Sequence, residues 1–283
     1  MTTSSFSRKL SSLAKSVALC SLFLQPLAHA TTVQFQTSLG DFEVVLFDEA
    51  TPLTVANFLN YVNADNYDGT IFHRSVPGFI LQGGGFTFVE EGPPEEAASI
   101  PAVLNEPEYS NVTGTIAMAK VGGNPNSATN QWFFNLADNS ENLDIQNGGF
   151  TVFGQVSAGG MEIIEAMAAL PTFNMGYVFD NIPLIDYTEE EFVGYYGDND
   201  TVNYGPVDAS NGVFVFDIAI TDAAVDSAAE LTPAENVLID TYVPPVNNPV
   251  GPAGDADGGG NLGFFGLLAI GLLGWARRTR KPV

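Results

Sequence analysis

The run Phe72-His73-Arg74-Ser75-Val76-Pro77-Gly78-Phe79-Ile80-Leu81-Gln82-Gly83-Gly84-Gly85-Phe86 holds most of what this chain has for chemistry. A guanidinium presents several N–H donors in a rigid plane and keeps its charge. On a strand, with Phe79 and Ile80 nearby and Gln82 two residues further on, Arg74 makes one charged donor over an apolar patch. The glycines that follow let other backbone approach closely. A second cluster is Met118-Ala119-Lys120, then Asn126-Ser127-Ala128-Thr129-Asn130-Gln131-Trp132-Phe133-Phe134-Asn135, a polar loop running into an aromatic strand. The missing residue types narrow the chemistry further. The single cysteine, Cys20, and one of two histidines, His29, fall in a leader-like stretch, which leaves His73 alone in the mature chain. The reading therefore excludes a disulfide, a thiol nucleophile and a Cys/His zinc site. Asp198-Asn199-Asp200 hints at calcium, but no Glu or Gly follows at the positions an EF-hand loop needs.

Short strands must position these residues. Val33 and Phe35 alternate with Gln34 and Gln36, and Phe42, Val44 and Leu46 alternate after Leu39-Gly40, which predicts a β-hairpin. Thr51 as N-cap and Pro52 at the first helical position open a helix whose apolar face is Val55, Phe58, Leu59 and Val62. Glycine-bounded strands are expected at 71–74, 79–82, 113–119, 131–135 and 151–156, a second helix at 161–169 and a last strand at 213–220. Residues 171–211 are acidic, aromatic and irregular, and read as a long surface excursion. A mainly β fold, a barrel with two α-helices covering its ends, accommodates this order.

Charge divides the chain into three. Of nine Lys and Arg, Arg8, Lys9 and Lys15 lie at the start and Arg277, Arg278, Arg280 and Lys281 at the end. Between them only Arg74 and Lys120 face all 33 acidic residues, a net of −31 against −24 for the whole chain. Such a surface repels phosphate, so no nucleic-acid partner is expected.

The basic ends read as addresses. Residues 1–30 have a cationic start, an apolar stretch at 17–27 and Ala28-His29-Ala30, the pattern of a cleaved secretory signal. At the other end Gly258-Gly259-Gly260 precede an apolar stretch, 262–276, and the four terminal cations. The 19 uncharged residues from Gly258 to Ala276 make about 28 Å of helix at ~1.5 Å per residue, close to a hydrocarbon core of ~30 Å. The cations would stay cytoplasmic and place the acidic bulk outside. This end resembles the Gly-Gly-type C-terminal sorting tags of Gram-negative bacteria, which implies a membrane tether and a sorting protease acting near the glycines. Residues 223–257, rich in Ala, Pro, Asp and Asn, read as a flexible linker between folded domain and tag.

The chemical runs themselves resemble the cyclophilins, a family of peptidyl-prolyl cis-trans isomerases. The likeness rests on FHR, PGF and QGGGF within 72–86, on the MA and NSATNQWFFN elements within 118–135, on Asn142-Leu143-Asp144, and on Val152-Phe153-Gly154-Gln155-Val156, in that order. It spans roughly 31–222, and Ser127-Ala128-Thr129-Asn130-Gln131 is similar to bacterial members. The resemblance implies a closed eight-stranded antiparallel β-barrel capped by two helices, a monomer, no metal or other cofactor, and proline-containing polypeptides as substrates. By motif it makes Arg74 the catalytic arginine, helped by Phe79 and Gln82. It assigns Ile80, Phe133, Leu143 and Phe150 with Phe79 to a proline pocket, Gln131 to its polar side, and backbone at Ala119 and Lys120 to pairing with the substrate chain. The Lys120 side chain is expected as a solvated charge on the rim, and His73 as structural. Two departures stand out: Asn142 holds the place of the pocket tryptophan of many eukaryotic members, which implies weak cyclosporin-type binding, and Phe150 stands where His or Tyr is usual. The expected function is acceleration of X-Pro rotation in exported polypeptides, with Arg74 donating to the twisted imide. The alternative is a non-catalytic proline-binding or scaffold module of the cell envelope.

Overall fold

The structure, a computed structural model, describes residues 30–88, 94–176, 178–190, 207, 209–222, 231 and 233–244. The expected leader up to residue 29, the tag at 258–283 and Asp198-Asn199-Asp200 lie outside the described residues. No helix among the described residues is long and apolar enough to cross a membrane.

In chain order the elements are β1 (Thr32–Thr37), β2 (Gly40–Leu46), α1 (Pro52–Val62), β3 (Thr70–Ile71), β4 (Arg74–Val76) and β5 (Ile80–Gly83). Then come β6 (Phe86–Thr87), β7 (Glu95–Glu96), β8 (Thr115–Met118), β9 (Trp132–Asn135), α2 (Ser140–Leu143) and β10 (Val152–Val156). The last are α3 (Gly160–Ala168), β11 (Thr172–Phe173), β12 (Ile182–Pro183) and β13 (Phe214–Asp222). All pairings are antiparallel, in the order β4-β5-β9-β8-β10-β2-β1-β13-β3 with β6 and β7 beyond.

The two ends of that order are one stretch of chain. Phe214 on β13 faces Ile71, and Phe72 donates its N–H to the Val213 carbonyl at 2.9 Å. Immediately afterwards His73 donates to the Gln82 carbonyl at 3.0 Å, and Arg74 faces Gln82 on β5. Residues 70–76 thus serve as one strand with two partners, and the pairings return to their start through eight strands. Closing a sheet in this way removes its edges.

Inward-facing residues fill the barrel: Val33 and Phe35 from β1, Phe42, Val44 and Leu46 from β2, Leu81, Ile116, Met118, Trp132, Phe134 and Phe153. α1 adds Val55, Phe58, Tyr61 and Val62 and α3 adds Ile164 and Met167 to the same core, so the helices close it as the apolar spacing predicted. Phe35 alone has four aromatic neighbours, with ring centroids 5.0 to 6.2 Å away.

Three readings of the sequence differ from the fold. Thr51 precedes α1, but its hydroxyl donates back to the Phe47 carbonyl and caps nothing. The helix start is capped by Glu106, whose carboxylate accepts from the N–H groups of Leu53 and Thr54 at 3.1 and 2.8 Å and from the Thr54 hydroxyl at 2.8 Å. The excursion at 171–211 is irregular only in part: β11 pairs with β12, and Phe173, Met175, Phe179, Ile182, Leu184 and Tyr187 form an apolar cluster with Ile71 and Phe86 on the barrel's outer side. Within the expected linker, Leu231 and residues 233–244 are docked on the barrel; its other residues lie outside the described ones.

Because Glu106 supplies acceptors for two orphan helix donors, Glu106→Ala is expected to cost about 1 kcal/mol of stability, the usual effect of losing a cap. Urea unfolding at pH 7 measures it, with Glu106→Gln retaining part of the difference.

Candidate active site

Strand alternation gives the barrel a second apolar surface, on its outside. Along β5, Leu81 points into the core, so Ile80 and Gln82 point out; along β9, Trp132 and Phe134 point in and Phe133 points out. Register then aligns the outward residues across the sheet. Arg74 faces Gln82, Gln82 faces Phe133, Phe133 faces Ala117 and Ala117 faces Val152. Ile80, Ala117, Ala119, Phe133, Leu143, Phe150 and Val152 form one buried cluster with Phe47, and Phe79 packs against it. The rings of Phe133 and Phe150 meet edge to face at 5.8 Å. Ile80, Phe133, Leu143 and Phe150, expected as pocket walls, keep at most 1% of their surface exposed. They make a closed floor, and Phe79 is the member of the expected pocket that meets solvent.

Two cavities flank this floor. One of about 780 Å³ is lined by Arg74, Val76, Phe79, Asn139, Asn142 and Asp180, among others. The other, of about 370 Å³, is lined by Gln82, Ala119, Lys120, Asn126 and Gln131 with neighbouring residues. Arg74 and Phe79 therefore share one side, and the remaining polar and backbone candidates share the other. Gln82 Nε2 donates to Gln131 Oε1 at 2.9 Å, across Gly85, where a Cβ would overlap the Gln131 side chain. Gln82 Oε1 is buried with no partner among the described residues.

Arg74 has only 14% of its side chain exposed, and its Nε and Nη1 have no hydrogen-bond partner among the described residues. Asp180, delivered by the loop between β11 and β12, holds Oδ1 3.8 Å from Nε. Burial pulls the guanidinium below its ordinary range, and the Asp180 charge partly offsets this. A guanidinium starts so high that it remains a cation. The site thus presents a charged group with unmet donors beside an apolar floor.

Lys120 is not the solvated rim charge that the sequence suggests. It is 4% exposed, and Nζ donates to Asn105 Oδ1 at 3.1 Å, to the Asn147 carbonyl at 3.0 Å and to the Gly149 carbonyl. Three acceptors match the three donors of an ammonium. Nζ also lies 4.7 Å from the centroid of Phe150. Burial brings its pKa down to about 7. The side chain ties the 118–121 stretch to the loop that carries Phe150; its backbone remains on the lining of the smaller cavity.

Several positioning residues escaped the sequence reading. Asn139 Nδ2 donates to the Phe79 carbonyl at 2.9 Å and to Asn135 Oδ1 at 2.8 Å, fixing the backbone of Phe79. Asp144, beside Leu143, is buried and accepts from the Ser110 hydroxyl and from Asn111 N and Nδ2. On the far side Ser75 donates to the Asn181 carbonyl at 2.8 Å, holding the strand of Arg74 to the excursion. The signal for these was a density of asparagines in loops flanking the motifs, which gives composition but no partner.

His73 is structural, as expected. It is 1% exposed, with its ring 4.7 Å from that of Phe86, and burial together with the neighbouring Arg74 charge brings its pKa down to about 3. The unfolded chain takes up a proton below about pH 6.5 that the folded chain refuses. The His73 contribution is therefore full above that pH and is lost as pH falls toward 3. Between pH 7 and pH 5 the protein is expected to lose about 2 kcal/mol more stability than His73→Phe, read from urea unfolding at both pH values.

Comparison with known proteins adds to this geometry. Residues 32–189 match the family model described as cyclophilin type peptidyl-prolyl cis-trans isomerase. A peptidyl-prolyl cis-trans isomerase of Acinetobacter baylyi is 41% identical over 162 residues, 55% of this chain and 82% of that protein. Peptidyl-prolyl cis-trans isomerase A of Dickeya dadantii is 41% identical over 158 residues, 54% of this chain and 79% of that protein. Among solved structures, a cyclophilin type isomerase of Cryptosporidium parvum is 23% identical, with a TM-score of 0.47 over 68% of this chain and 99% of that one.

Proposed function

The chain belongs to the cyclophilin type peptidyl-prolyl cis-trans isomerase family, and we propose that it uses Arg74 to accelerate X-Pro rotation in polypeptides outside the cytoplasm. The observation that carries the mechanism is the pair of unpartnered, buried donors of Arg74 next to the apolar floor.

Rotation about an X-Pro bond breaks no covalent bond. It must overcome amide resonance, a barrier of ~18–20 kcal/mol, and takes tens to hundreds of seconds unaided. In the twisted state the imide nitrogen regains its lone pair and accepts a hydrogen bond that the planar ground state cannot. A donor aimed there stabilises the transition state selectively, which is what raises a rate. One preorganised donor in a dry site typically contributes ~2.7–4 kcal/mol. Acceleration into the millisecond range needs about 10⁴–10⁵-fold, or ~5.5–7 kcal/mol, so Arg74 supplies roughly half. The rest falls to the apolar surface that holds the ring and to backbone that clamps the chain.

The proline ring would lie against Phe79, with Ile80, Phe133, Leu143 and Phe150 beneath. Gln82 and Gln131, linked to each other, would face the peptide on the side where Ala119 and Lys120 present their backbone. Asn142, on the lining of the larger cavity, leaves that rim polar.

Support for the location comes from the sequence: the cationic, apolar and small-residue succession at 1–30, and the glycine motif, apolar stretch and basic end at 258–283. In this reading the mature domain faces away from the cytoplasm, on the periplasmic or cell-surface side, tethered through 262–276 until a sorting protease cuts near Gly258-Gly259-Gly260.

Arg74→Ala is expected to lower kcat/KM for a proline-containing peptide about 10²–10³-fold with an unchanged circular dichroism spectrum; an unchanged rate would sink the mechanism. Mass spectrometry of protein from the native cell is expected to give Thr31 as the first residue, and a first residue at Met1 would remove the case for export.

A further inference from the structure

The chain does not leave the barrel for good after β13. Ser110 donates its N–H to the Ala234 carbonyl at 2.8 Å and Asn236 donates to the Glu108 carbonyl at 2.9 Å, making an antiparallel bridge between Tyr109 and Glu235. Asn236 is 6% exposed. Its Nδ2 donates to the Asp144 carbonyl at 2.9 Å, while its Oδ1 accepts from Leu238 and Ile239 N–H at 3.1 and 3.0 Å. A solvated linker needs none of these bonds. Leu231 packs against the cluster that contains Phe133 and Phe150.

What the segment touches is the turn that carries two members of the expected proline pocket. Leu143 and Phe150 stand at its ends, joined by the Phe150 N–H donating to the Leu143 carbonyl at 2.9 Å. The turn is tight: Gly149 has φ +72°, and a Cβ there would lie 2.6 Å from the Asp144 carbonyl oxygen and 3.2 Å from Ile239 Cδ1. At Gly148 it would lie 3.6 Å from Tyr242 Cε1. Lys120 holds the same turn through the carbonyls of Asn147 and Gly149. Residues 234–242 therefore add a second set of ties to the turn that Lys120 already binds.

We infer that Leu231 and residues 233–242 act as a clasp on the proline-binding turn, with Asn236 as the positioning residue that sets Leu143 and Phe150. This rests on the isomerase reading, and it deepens that reading by making affinity for the proline ring depend on a segment beyond the barrel. The clasp touches neither Arg74 nor the reacting imide, so its loss weakens the planar and twisted states of the bound peptide alike and shows in binding more than in turnover.

The test uses the full chain with Asn236→Asp, which keeps the acceptor for Leu238 and Ile239 but turns an oxygen toward the Asp144 carbonyl. Loss of one such bond predicts about a fivefold rise in Kd for a proline-containing tetrapeptide, with turnover at saturating peptide within about twofold of wild type. Amide exchange at Phe150 should quicken by a similar factor while that at Phe35, in the barrel core, stays unchanged. An unchanged Kd with unchanged Phe150 exchange overturns the clasp, and so does faster exchange at Phe35 and Phe150 alike, which is general loosening. Asn236→Ala, which loses both sets of bonds, should move in the same direction and further. An inactive wild type would instead overturn the isomerase reading, because exchange at Phe150 needs no turnover.

Discussion

Side chains on a strand alternate, so a strand that is apolar at every position must have apolar cover on both faces. That constraint governs this molecule. β9 reads Trp132-Phe133-Phe134-Asn135 and all four are buried, and β5 and β8 are buried at every position as well. The inner face is satisfied by barrel closure and the two helices. The outer face can be satisfied only by chain brought from elsewhere, and among the described residues four segments answer: the stretch after β2 through Phe47 and Ala50, the stretch through Tyr109, the turn from Leu143 to Phe150, and the end segment with Leu231. The larger cavity opens at the margin of that outer cluster, where cover stops and Phe79 emerges.

The two cations of the acidic middle divide the polar work. Lys120 donates to three oxygens and is fully occupied by the fold. Arg74 has one carboxylate at 3.8 Å, and Asp180 is itself 28% exposed. A partly exposed pair of that length is worth little, so it steadies the guanidinium without consuming its donors. A buried donor without a partner is costly, and the site retains that cost where a peptide can relieve it. Asp138 and Glu141 line the same cavity.

Much of this was legible in the sequence because it is local. The hairpin of β1 and β2, the apolar face of α1 and the outward placing of Arg74, Ile80, Gln82 and Phe133 all follow from alternation or helical period. What escaped is what long-range partners decide. Glu106 replaces Thr51 as cap from 52 residues away, and Lys120 finds acceptors 15 to 29 residues distant. Residues 171–190 lack a clean period because their aromatic side chains serve a short hairpin and an outer barrel wall at once. Residues 233–244 read as linker because a stretch rich in Ala, Pro, Asp and Asn has no sustained period; their anchoring comes from an asparagine and backbone, which carry no hydrophobic signal.

A reaction that breaks no bond asks for a static environment, and this accounts for the kind of polar groups found. Nothing here must gain or lose a proton in turnover. His73, adjacent to Arg74, is held neutral by burial, so the positive charge on this strand is that of Arg74. Asn139 fixes the backbone of Phe79, Asn181 fixes the strand of Arg74, and Lys120 with Asn236 grips one turn from two sides. Arg74 and the turn from Leu143 to Phe150 are thereby held by different elements, the excursion on one side and the end segment on the other. In the proposed mechanism a change in either alters one function of the site and spares the other, because the barrel stands between them.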